Sequence, residues 1–503
     1  MIRTQLIAPV AELLARQAAA WPDKIAYEDK TRALTYAGLA AEVEALSAHY
    51  VSLGLAPGGA VGIWLANSVD WVVATLAAIR AGAIAVPIAA DATQSEAAYR
   101  VADAGVRLIV TTSDKAGAVA AMPAPRPQPI LTDRVRFAEL PASARLPVDD
   151  IDRTSMIVYT SGTTGHPKGV MLSTRSMLWV NAACWAPIFG LGPDDRVLSP
   201  LPLFHSYALN IAVLSLLANG ASEFIMERFS VHEAMERLSS GGFTKLPGVP
   251  TMFHYLLLAS KEAGINPLAG IDRCVSAGAI LPATLNREFE DYFDVELLDG
   301  YGITETSTMV TLNWPGGARV AGSCGLPVPG LSVRLVDVED CDVPPGMEGE
   351  LIVRGPNVMQ GYFGKKAETD AALRGGWYRT GDLARQDASG FLTITGRLKE
   401  LIIRGGQNIA PAEVEETIGK MAGIRDCAVV GVPHETLGEV PVAFVICEGP
   451  PPSLDAIKAF CTETLSAYKL PHDVVVVDEI PRTGSGKTIR FRLRDAYTQR
   501  ALA

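Results

Sequence analysis

The sequence predicts an α/β fold: a large N-terminal domain of α/β sheet subdomains with a small β-rich subdomain, and a small α+β C-terminal domain. Two series of alternating helical and strand patterns, over residues 60–115 and 155–310, are typical of sheets with buried strands. Residues 320–395 change to short strands and turns, which indicates the β-rich part. The pattern changes again after Gly396, so we place the domains at 1–396 and 397–503.

Individual segments support each part of this fold. The most apolar stretch, 71–90, is interrupted by Arg80, Gly82 and Pro87, so we predict a core helix followed by a buried strand rather than a membrane span. The second series begins with a strand at 156–160 and continues with a helix opened by Ser173 or Thr174. The C-terminal domain contains strand patterns at 401–404, 427–433 and 442–447 and helical patterns from Pro411 and near 454–466.

Charge and cysteine content exclude several functional classes. A net charge of −11 argues against a dedicated nucleic-acid-binding protein. The seven cysteines are scattered, without a CxxC pair or a Cys/His cluster, which fits a reducing cytosol and indicates no zinc site. The N-terminus lacks the apolar core of a signal peptide. We therefore expect a cytoplasmic protein without a membrane span, and nothing in the sequence indicates its oligomeric state.

The segment YTSGTTGHPKGV, residues 159–170, has the composition of a loop that binds polyphosphate. Its glycines permit tight turns in which successive N–H groups converge on an anion. Hydroxyl donors and the charge of Lys168 add to this. The segment is not a Walker loop, because the spacing GxxxxGK[ST] is not satisfied. The predicted phosphate-binding residues are Ser161, Gly162, Thr163, Thr164, Gly165 and Lys168.

This loop resembles the signature of the adenylate-forming superfamily, which includes acyl- and aryl-CoA synthetases, peptide-synthetase adenylation domains and luciferases. Four further motifs of that family follow in its order: DGYGITE at 299–305, YRTGD at 378–382, GRLKELI at 396–402 and PRTGSGK at 481–487. Two positions depart from the usual pattern, Ser485 in place of threonine and Gln407 in place of glutamate or an aromatic residue.

The resemblance implies a role for each motif in binding ATP. Tyr301 would stack on adenine, Thr304 would bind the α-phosphate, and Glu305 with Thr164 would hold Mg²⁺, which prefers oxygen ligands. Asp382 would accept hydrogen bonds from both ribose hydroxyls, and Arg397 would contact the ribose or phosphate, or else form a salt bridge across the domain junction. The other expected ATP and AMP contacts are Gly278, Ala279, Asp299, Gly300 and Gly302.

The resemblance also implies two reactions in one cleft. The carboxylic acid would first form an acyl-adenylate with release of pyrophosphate, and the thiol of CoA would then displace AMP. Lys487 would stabilise the charge that develops in the first step. The C-terminal domain would be mobile and would rotate about Lys399 between the steps, because that position matches the family's hinge. The expected CoA contacts are Arg404, Gly405, Gly406 and Gln407.

The acid itself is less specified. Residues 203–210 contain no acidic side chain for an amino acid's ammonium group, and the expected acyl segments contain no arginine for a second carboxylate. We therefore expect an uncharged acid, a fatty acid first and a benzoate- or cinnamate-like acid second. His205 would lie at the carboxylate end or be an ordinary core histidine. The expected acyl pocket contains His205, Ser206, Tyr207, Thr251, Ser276, Ala277, Gly278, Met309 and Val310.

Two alternatives remain at this stage. An acyl-AMP ligase would use the same fold but load the phosphopantetheine of a carrier protein instead of free CoA. A non-catalytic nucleotide-binding protein would keep the fold without the reaction. The retention of Lys487, Glu305 and Asp382 argues against the second alternative.

Overall fold

The computed structural model describes residues 1–141, 144–160, 167–405, 407–482 and 488–502 and has a mixed α/β fold. Its strands are, in chain order, β1 (Ile25–Glu28), β2 (Ala33–Thr35), β3 (Ala60–Ile63), β4 (Ile84–Pro87), β5 (Val106–Thr111), β6 (Gln128–Leu131), β7 (Thr154–Thr160), β8 (Lys168–Ser173), β9 (Arg196–Ser199), β10 (Ser222–Ile225), β11 (Lys245–Gly248), β12 (Arg273–Ser276), β13 (Leu297–Tyr301), β14 (Thr311–Leu312), β15 (Leu326–Pro327), β16 (Ser332–Val336), β17 (Glu348–Arg354), β18 (Gly361–Tyr362), β19 (Tyr378–Gln386), β20 (Leu392–Arg397), β21 (Ile402–Arg404), β22 (Gln407–Ile409), β23 (Ile424–His434), β24 (Gly438–Cys447) and β25 (Asp473–Val476).

The α-helices are α1 (Val10–Ala20), α2 (Tyr36–Ser52), α3 (Val69–Arg80), α4 (Gln94–Asp103), α5 (Ala116–Ala120), α6 (Thr174–Val180), α7 (Ser206–Ala208), α8 (Leu216–Asn219), α9 (Val231–Ser240), α10 (Pro250–Ala263), α11 (Ala283–Phe293), α12 (Lys366–Ala372), α13 (Pro411–Gly419), α14 (Leu454–Cys461) and α15 (Arg490–Leu502). Two segments are π-helical, Asn181–Phe189 and Leu209–Ser215. Short 3₁₀ turns occupy Thr4–Leu6, Ser113–Lys115, Phe137–Glu139, Thr304–Thr306, Arg374–Gly376, Leu398–Glu400 and Ala467–Lys469.

The chain divides into two compact units. The first contains Met1–Ala321, Gly325–Ser332 and Val353–Tyr378, and the second contains Gly322–Cys324, Val333–Ile352 and Arg379–Ala503. The β-rich segment is thus shared between the two units instead of belonging to the N-terminal domain alone. The functional boundary at 396/397 and the hinge at Lys399 stay predictions.

Two sheets form the centre of the first unit. Among the described residues, one has the order β15-β14-β13-β12-β11-β9-β10-β1-β2 and the other the order β18-β8-β7-β4-β3-β5-β6. The central strands of both are parallel, and β3 and β4 are buried along their whole length. α3 is apolar on nearly all sides and lies in a hydrophobic core that includes residues of both sheets. The core helix and buried strand predicted at 71–90 are confirmed as α3 and β4.

The carboxyl ends of β11, β12 and β13 lie side by side, with Gly248 opposite Ser276 and Ser276 opposite Asp299. Ligands of open α/β sheets bind outside this edge, because the loops that leave the strands there are free of the core. The register therefore places three of the expected substrate segments at one edge of one sheet.

The second unit has two smaller sheets among its described residues, of order β16-β17-β19-β20 and β22-β21-β24-β23, with β25 added to β24. β23 and β24 form a long antiparallel pair, and α13 and α14 contribute Val414, Ile418 and Ile457 to the core beneath it. The strand and helix patterns predicted for the C-terminal segment are confirmed. Within the described residues, no helix combines the length and apolarity that crossing a membrane requires.

Candidate active site

The strands that flank the predicted phosphate loop form an antiparallel pair. Lys168 begins β8 opposite the last residue of β7. The Tyr159 hydroxyl donates to Asp103 Oδ2 at 2.7 Å, and the Tyr99 hydroxyl donates to the carbonyl oxygen of Pro167 at 2.9 Å. Both ends of the loop are therefore anchored on α4. The other predicted loop residues lie outside the described residues: Ser161, Gly162, Thr163, Thr164 and Gly165.

A chain of side chains connects this pair of strands to the DGYGITE segment. Nζ of Lys168 lies 5.0 Å from the centre of the Tyr362 ring, a cation–π distance. The Tyr362 hydroxyl donates to Oε1 of Glu305 at 3.0 Å and accepts a hydrogen bond from the Tyr378 hydroxyl. Burial, with the nearby Glu305 carboxylate, raises the pKa of both tyrosines, so both hydroxyls keep their protons at neutral pH.

The DGYGITE segment leaves the sheet at the carboxyl end of β13. Asp299 is buried, burial raises the pKa of its carboxyl group well above the usual range, and its Oδ1 has no hydrogen-bond partner within the described residues. Tyr301 is half-buried. A Cβ at Gly302 would lie 1.2 Å from the carbonyl oxygen of Thr308, so only glycine fits there, whereas a Cβ at Gly300 would require the end of the Met309 side chain to move.

A strained turn follows this segment. The backbone φ is 51° at Ser307 and 112° at Thr308, and the second value is one that a β-branched residue rarely adopts. The hydroxyl oxygens of Thr304 and Ser206 are 3.1 Å apart, and the Thr308 hydroxyl donates to the carbonyl oxygen of Ser206 at 3.0 Å. The structure thus brings an expected phosphate-binding residue, Thr304, against an expected acyl-binding residue, Ser206.

His205 immediately precedes α7 and is half-buried, with its Nε2 enclosed and unpartnered within the described residues. Burial, together with the positive charge of Arg100, lowers the pKa of the imidazole to about 4. The ring is therefore neutral at neutral pH, so it can donate or accept a hydrogen bond but contributes no charge. A neutral imidazole is compatible with both roles expected for His205, a contact with the substrate carboxylate or an ordinary core residue.

One of the expected acyl residues, Tyr207, forms an aromatic pair with Trp185. The rings of Tyr207 and Trp185 stack with centres 6.0 Å apart and planes inclined by 24°. The Tyr207 hydroxyl donates to the Val275 carbonyl at 3.2 Å, and Trp185 Nε1 donates to Asn210 Oδ1 at 2.8 Å. Trp185 is completely buried, and Tyr207 is 9% exposed. Because the polar atoms of both rings are occupied, the pair offers only apolar surface.

The remaining expected acyl and nucleotide residues differ in burial. Met309 and Val310 are completely buried and contribute to packing, not to a solvent-exposed wall. The Ser276 hydroxyl at the end of β12 is buried without a hydrogen-bond partner among the described residues. The others lie just beyond β11 or β12, with Ala277 buried, Thr251 and Ala279 half-buried, and Gly278 exposed.

The second unit contains the expected ribose-binding residues on neighbouring strands. Asp382 of β19 lies opposite Arg397 of β20, and Arg397 Nε is 2.7 Å from Asp382 Oδ1. The Asp382 side chain is 3% exposed, and its backbone N–H donates to the Thr380 hydroxyl at 3.0 Å. The ion pair thus joins two strands of one sheet and orients the carboxylate.

The residues expected at the hinge and at the CoA site also lie in this unit. Lys399 is exposed in a 3₁₀ turn, and Gln407 is exposed at the start of β22. The Arg404 guanidinium donates to the Tyr468 carbonyl at 2.7 Å, which ties it to the backbone of the unit. Gly405 has a φ of 56°, which favours glycine. Two expected residues lie outside the described residues, Gly406 and Lys487.

The carboxylate of Glu305 fits a magnesium ion that arrives with a nucleotide. Such an ion keeps several waters and phosphate oxygens and needs only one or two protein carboxylates. Glu305 is half-buried and oriented by Tyr362. The described residues contain no cluster of three or more potential ligands, the arrangement that a metal held by protein alone would need.

Sequence reasoning missed several residues that organise this site. Tyr362, Trp185, Asn210 and Asn357 belong to no motif, and Tyr378 belongs to one without an assigned role. The sequence provides only a weak indication of a structural role for Asn210 and Asn357, because each is a polar amide within an otherwise apolar or turn segment. Their partners lie far away in sequence, so the local pattern does not reveal them.

Two family models match the chain. The model for the AMP-binding enzyme covers residues 14–363, and the model for the AMP-binding enzyme C-terminal domain covers residues 413–487. Together they include three of the five motifs, at 159–170, 299–305 and 481–487.

Individual proteins match over nearly the whole chain. A sulfoacetate–CoA ligase of Cupriavidus necator is 35% identical over 96% of this chain and 97% of its own length. A feruloyl-CoA synthase of an Amycolatopsis species is 34% identical over 96% and 98%. The crystal structure of ATP-bound MatB from Rhodopseudomonas palustris superposes with a TM-score of 0.89, at 31% identity over 97% of this chain and 99% of that one. These names do not confirm the expected preference for a fatty acid.

Proposed function

We infer the function from one premise: this chain belongs to the AMP-binding enzyme family and is an AMP-forming acid–CoA ligase that uses ATP, Mg²⁺ and CoA. The predicted superfamily, fold class and reaction class are confirmed. A non-catalytic nucleotide-binding role is thereby set aside, and the related enzymes named above as ligases use CoA as the acceptor. The carboxylic acid and the roles of individual residues are what we propose below.

We propose that the acid is a compact, uncharged aryl acid of the benzoate or cinnamate type. The stacked pair of Tyr207 and Trp185 carries this proposal, because it places a rigid apolar ring directly after His205 and Ser206. Aromatic pairs add affinity beyond simple burial when their rings meet in offset or edge contacts. A planar acid can make such a contact with Tyr207, whereas an alkyl chain cannot.

Packing around the pair disfavours a long alkyl chain. A long acyl group needs a tunnel that continues into the protein, but Trp185 and Met309 are completely buried in the core of the first unit. The feruloyl-CoA synthase that resembles this chain acts on an aryl acid by its name. These observations reverse the order expected from sequence, where a fatty acid came first.

In the first step we propose that a carboxylate oxygen of the acid attacks the α-phosphorus of ATP and that pyrophosphate leaves. Thr304 binds the α-phosphate, and Lys168 with the loop that precedes it binds the β- and γ-phosphates. Glu305, oriented by Tyr362, would hold Mg²⁺, which would supply positive charge next to the phosphates. His205 is neutral, so it can orient the acid's carboxylate without pairing with it as a cation and weakening its attack.

The unpartnered Oδ1 of Asp299 can also accept a hydrogen bond from the nucleotide. Burial raises the pKa of the Asp299 carboxyl group, its Oδ1 is unpartnered within the described residues, and the exocyclic amino group of adenine, stacked on Tyr301, is a donor that would satisfy it. In the second unit, Asp382 accepts the ribose hydroxyls while Arg397 holds the carboxylate in place.

In the second step the sulfur of CoA attacks the acyl carbonyl carbon, the carbon–oxygen bond to AMP breaks, and the thiol proton is released. We propose that Lys487 serves the first step only. Rotation of residues 397–503 about Lys399 then brings the segment from Arg404 to Gln407 to the thiol. Glycine at 405 lets the pantetheine arm approach the backbone closely.

The substrate proposal is tested with a panel of acids assayed for AMP release in the presence of CoA. The panel contains benzoate, ferulate, sulfoacetate, hexanoate and palmitate. We expect kcat/KM to be highest for an aryl acid. A higher value for palmitate or sulfoacetate would overturn the proposal.

Two variants of Tyr207 refine this test. Tyr207→Leu removes the ring and should lower the ratio of aryl to hexanoate kcat/KM by about 3- to 10-fold, the value of an aromatic pair. Tyr207→Phe keeps the ring, loses the hydroxyl's backbone hydrogen bonds to Val275 and Gly248, and should leave the ratio unchanged. Equal effects of the two variants would contradict a ring contact with the substrate.

A further inference from the structure

Two buried asparagine amides hold the strained turn of residues 306–309, which directly follows Thr304 and Glu305. The Asn357 Nδ2 donates to the carbonyl oxygens of Thr306 at 3.0 Å and Met309 at 2.8 Å. The Asn210 Nδ2 donates to the Ser307 carbonyl at 2.9 Å. Both asparagines are completely buried. Three of the four carbonyl groups of residues 306–309 are thereby held by the two amides.

This turn needs external support because its backbone is strained. Ser307 and Thr308 both have positive φ, and Thr308 is β-branched. Strained backbone conformations of this kind persist only where contacts with the surrounding structure hold them in place, and they are concentrated at functional sites. Gly302 packs against the Thr308 carbonyl so closely that the turn has no room to relax toward it.

Asn210 also connects the turn to the aromatic pair. Its Oδ1 accepts from Trp185 Nε1 at 2.8 Å and from the Ser215 hydroxyl at 3.1 Å, and its Nδ2 also donates to the Met177 carbonyl at 3.0 Å. Trp185 and Asn210 each lie in a π-helical segment, a rare geometry that is frequent at functional sites. One amide therefore fixes both the nucleotide side and the acyl side of the site.

We propose that Asn210 and Asn357 are positioning residues for adenylation: they hold the strained turn so that Thr304 and Glu305 face the phosphates of ATP. Neither touches the reacting atoms. This inference rests on the proposed roles of Thr304 and Glu305. Because a displacement of about 1 Å at a reacting group can cost about 100-fold in rate, loss of the support acts on turnover more than on binding.

The first test compares a substitution at Asn357 with the same substitution at a matched control asparagine. Asn357→Asp keeps the shape and removes the two N–H donors. We expect kcat of ATP–pyrophosphate exchange to fall roughly 10- to 100-fold and KM for ATP to change less than about 3-fold. Asn219 is another buried asparagine with two donor bonds, to Asn181 Oδ1 and the Ser215 carbonyl; neither partner is on the turn, and the Ser215 hydroxyl that binds Asn210 is not involved. Asn219→Asp should lower the melting temperature but keep kcat within about 2-fold. Equal loss of kcat in both would overturn the inference.

The second test addresses strain without removing an amide, so it remains decisive if Asn357→Asp does not fold. Thr308→Ala and Thr308→Gly both lose the hydrogen bond to Ser206, but only glycine adopts a φ of 112° freely. We expect the melting temperature and kcat of Thr308→Gly to exceed those of Thr308→Ala, although glycine is ordinarily the less stable replacement. A higher melting temperature and kcat for Thr308→Ala would overturn the inference.

A third arm separates this inference from the proposed function. Glu305→Gln removes the charge expected to hold Mg²⁺ and should strongly lower exchange. Unchanged exchange in Glu305→Gln would remove the proposed role of Glu305. Loss of exchange in Glu305→Gln together with unchanged kcat in Asn357→Asp would overturn the positioning role alone.

Discussion

Replacement of Glu223 by glutamine should stabilise the first unit, and do so increasingly as pH rises. Glu223 lies on β10, between β9 and β1 of the larger sheet, and is 1% exposed. Neither carboxyl oxygen makes a well-formed hydrogen bond within the described residues. Burial raises the pKa of this carboxyl to about 8, and the Ser199 hydroxyl on β9 offsets a small part of that effect.

The magnitude follows from linkage between protonation and folding. The pKa in the folded protein is about 8 against an ordinary value of 4.5. Because the folded value is the higher one, the contribution of Glu223 is most favourable below pH 4.5 and is lost as pH rises through 8. The free-energy penalty of glutamate is below about 1 kcal/mol at pH 5 and reaches about 4–5 kcal/mol at pH 8.5. Glutamine has the same shape and does not titrate.

The measurement is the melting temperature of the wild type and Glu223→Gln at pH 5 and pH 8.5. We expect a small difference at pH 5 and a gain of several degrees at pH 8.5. Glu236→Gln, on the exposed face of α9, is the matched control and should show little change at either pH. A gain for Glu223→Gln that is equal at both pH values, or a loss at pH 8.5, would refute the assignment of a protonated buried carboxyl.

Three further predictions concern the active site. Tyr362→Phe removes the hydrogen bond to Glu305, and we expect the Mg²⁺ concentration for half-maximal pyrophosphate exchange to rise several-fold; the melting temperature should fall as well, because the buried Tyr378 hydroxyl loses its acceptor. An unchanged Mg²⁺ requirement would contradict the orienting role. Gly302→Ala places a Cβ 1.2 Å from the Thr308 carbonyl, so it should abolish exchange or prevent folding, and an active variant would show that the turn can move. Lys487→Ala should lower adenylation by about two to three orders of magnitude but spare thioester formation from supplied acyl-adenylate; equal loss in both half-reactions would rule out its transition-state role.

The sequence was sufficient for the family, the fold class and the reaction class. Motifs carry this information because a phosphate loop needs glycine, hydroxyl and cationic residues within one short segment, and that chemistry is visible in local order. Strand and helix patterns were equally readable, since α3 and β4 follow directly from an apolar stretch interrupted by Arg80, Gly82 and Pro87.

Only the tertiary structure revealed how the site is held in place. Tyr362 and Glu305 are 57 residues apart and meet through one hydroxyl, and Asn210 reaches Ser307 across 97 residues. Burial shifts the pKa of Glu223, Asp299 and His205, because desolvation acts through every neighbour packed around a group, not through the residues beside it in the chain. A local pattern identifies the groups that react, but long-range packing determines their orientation and protonation.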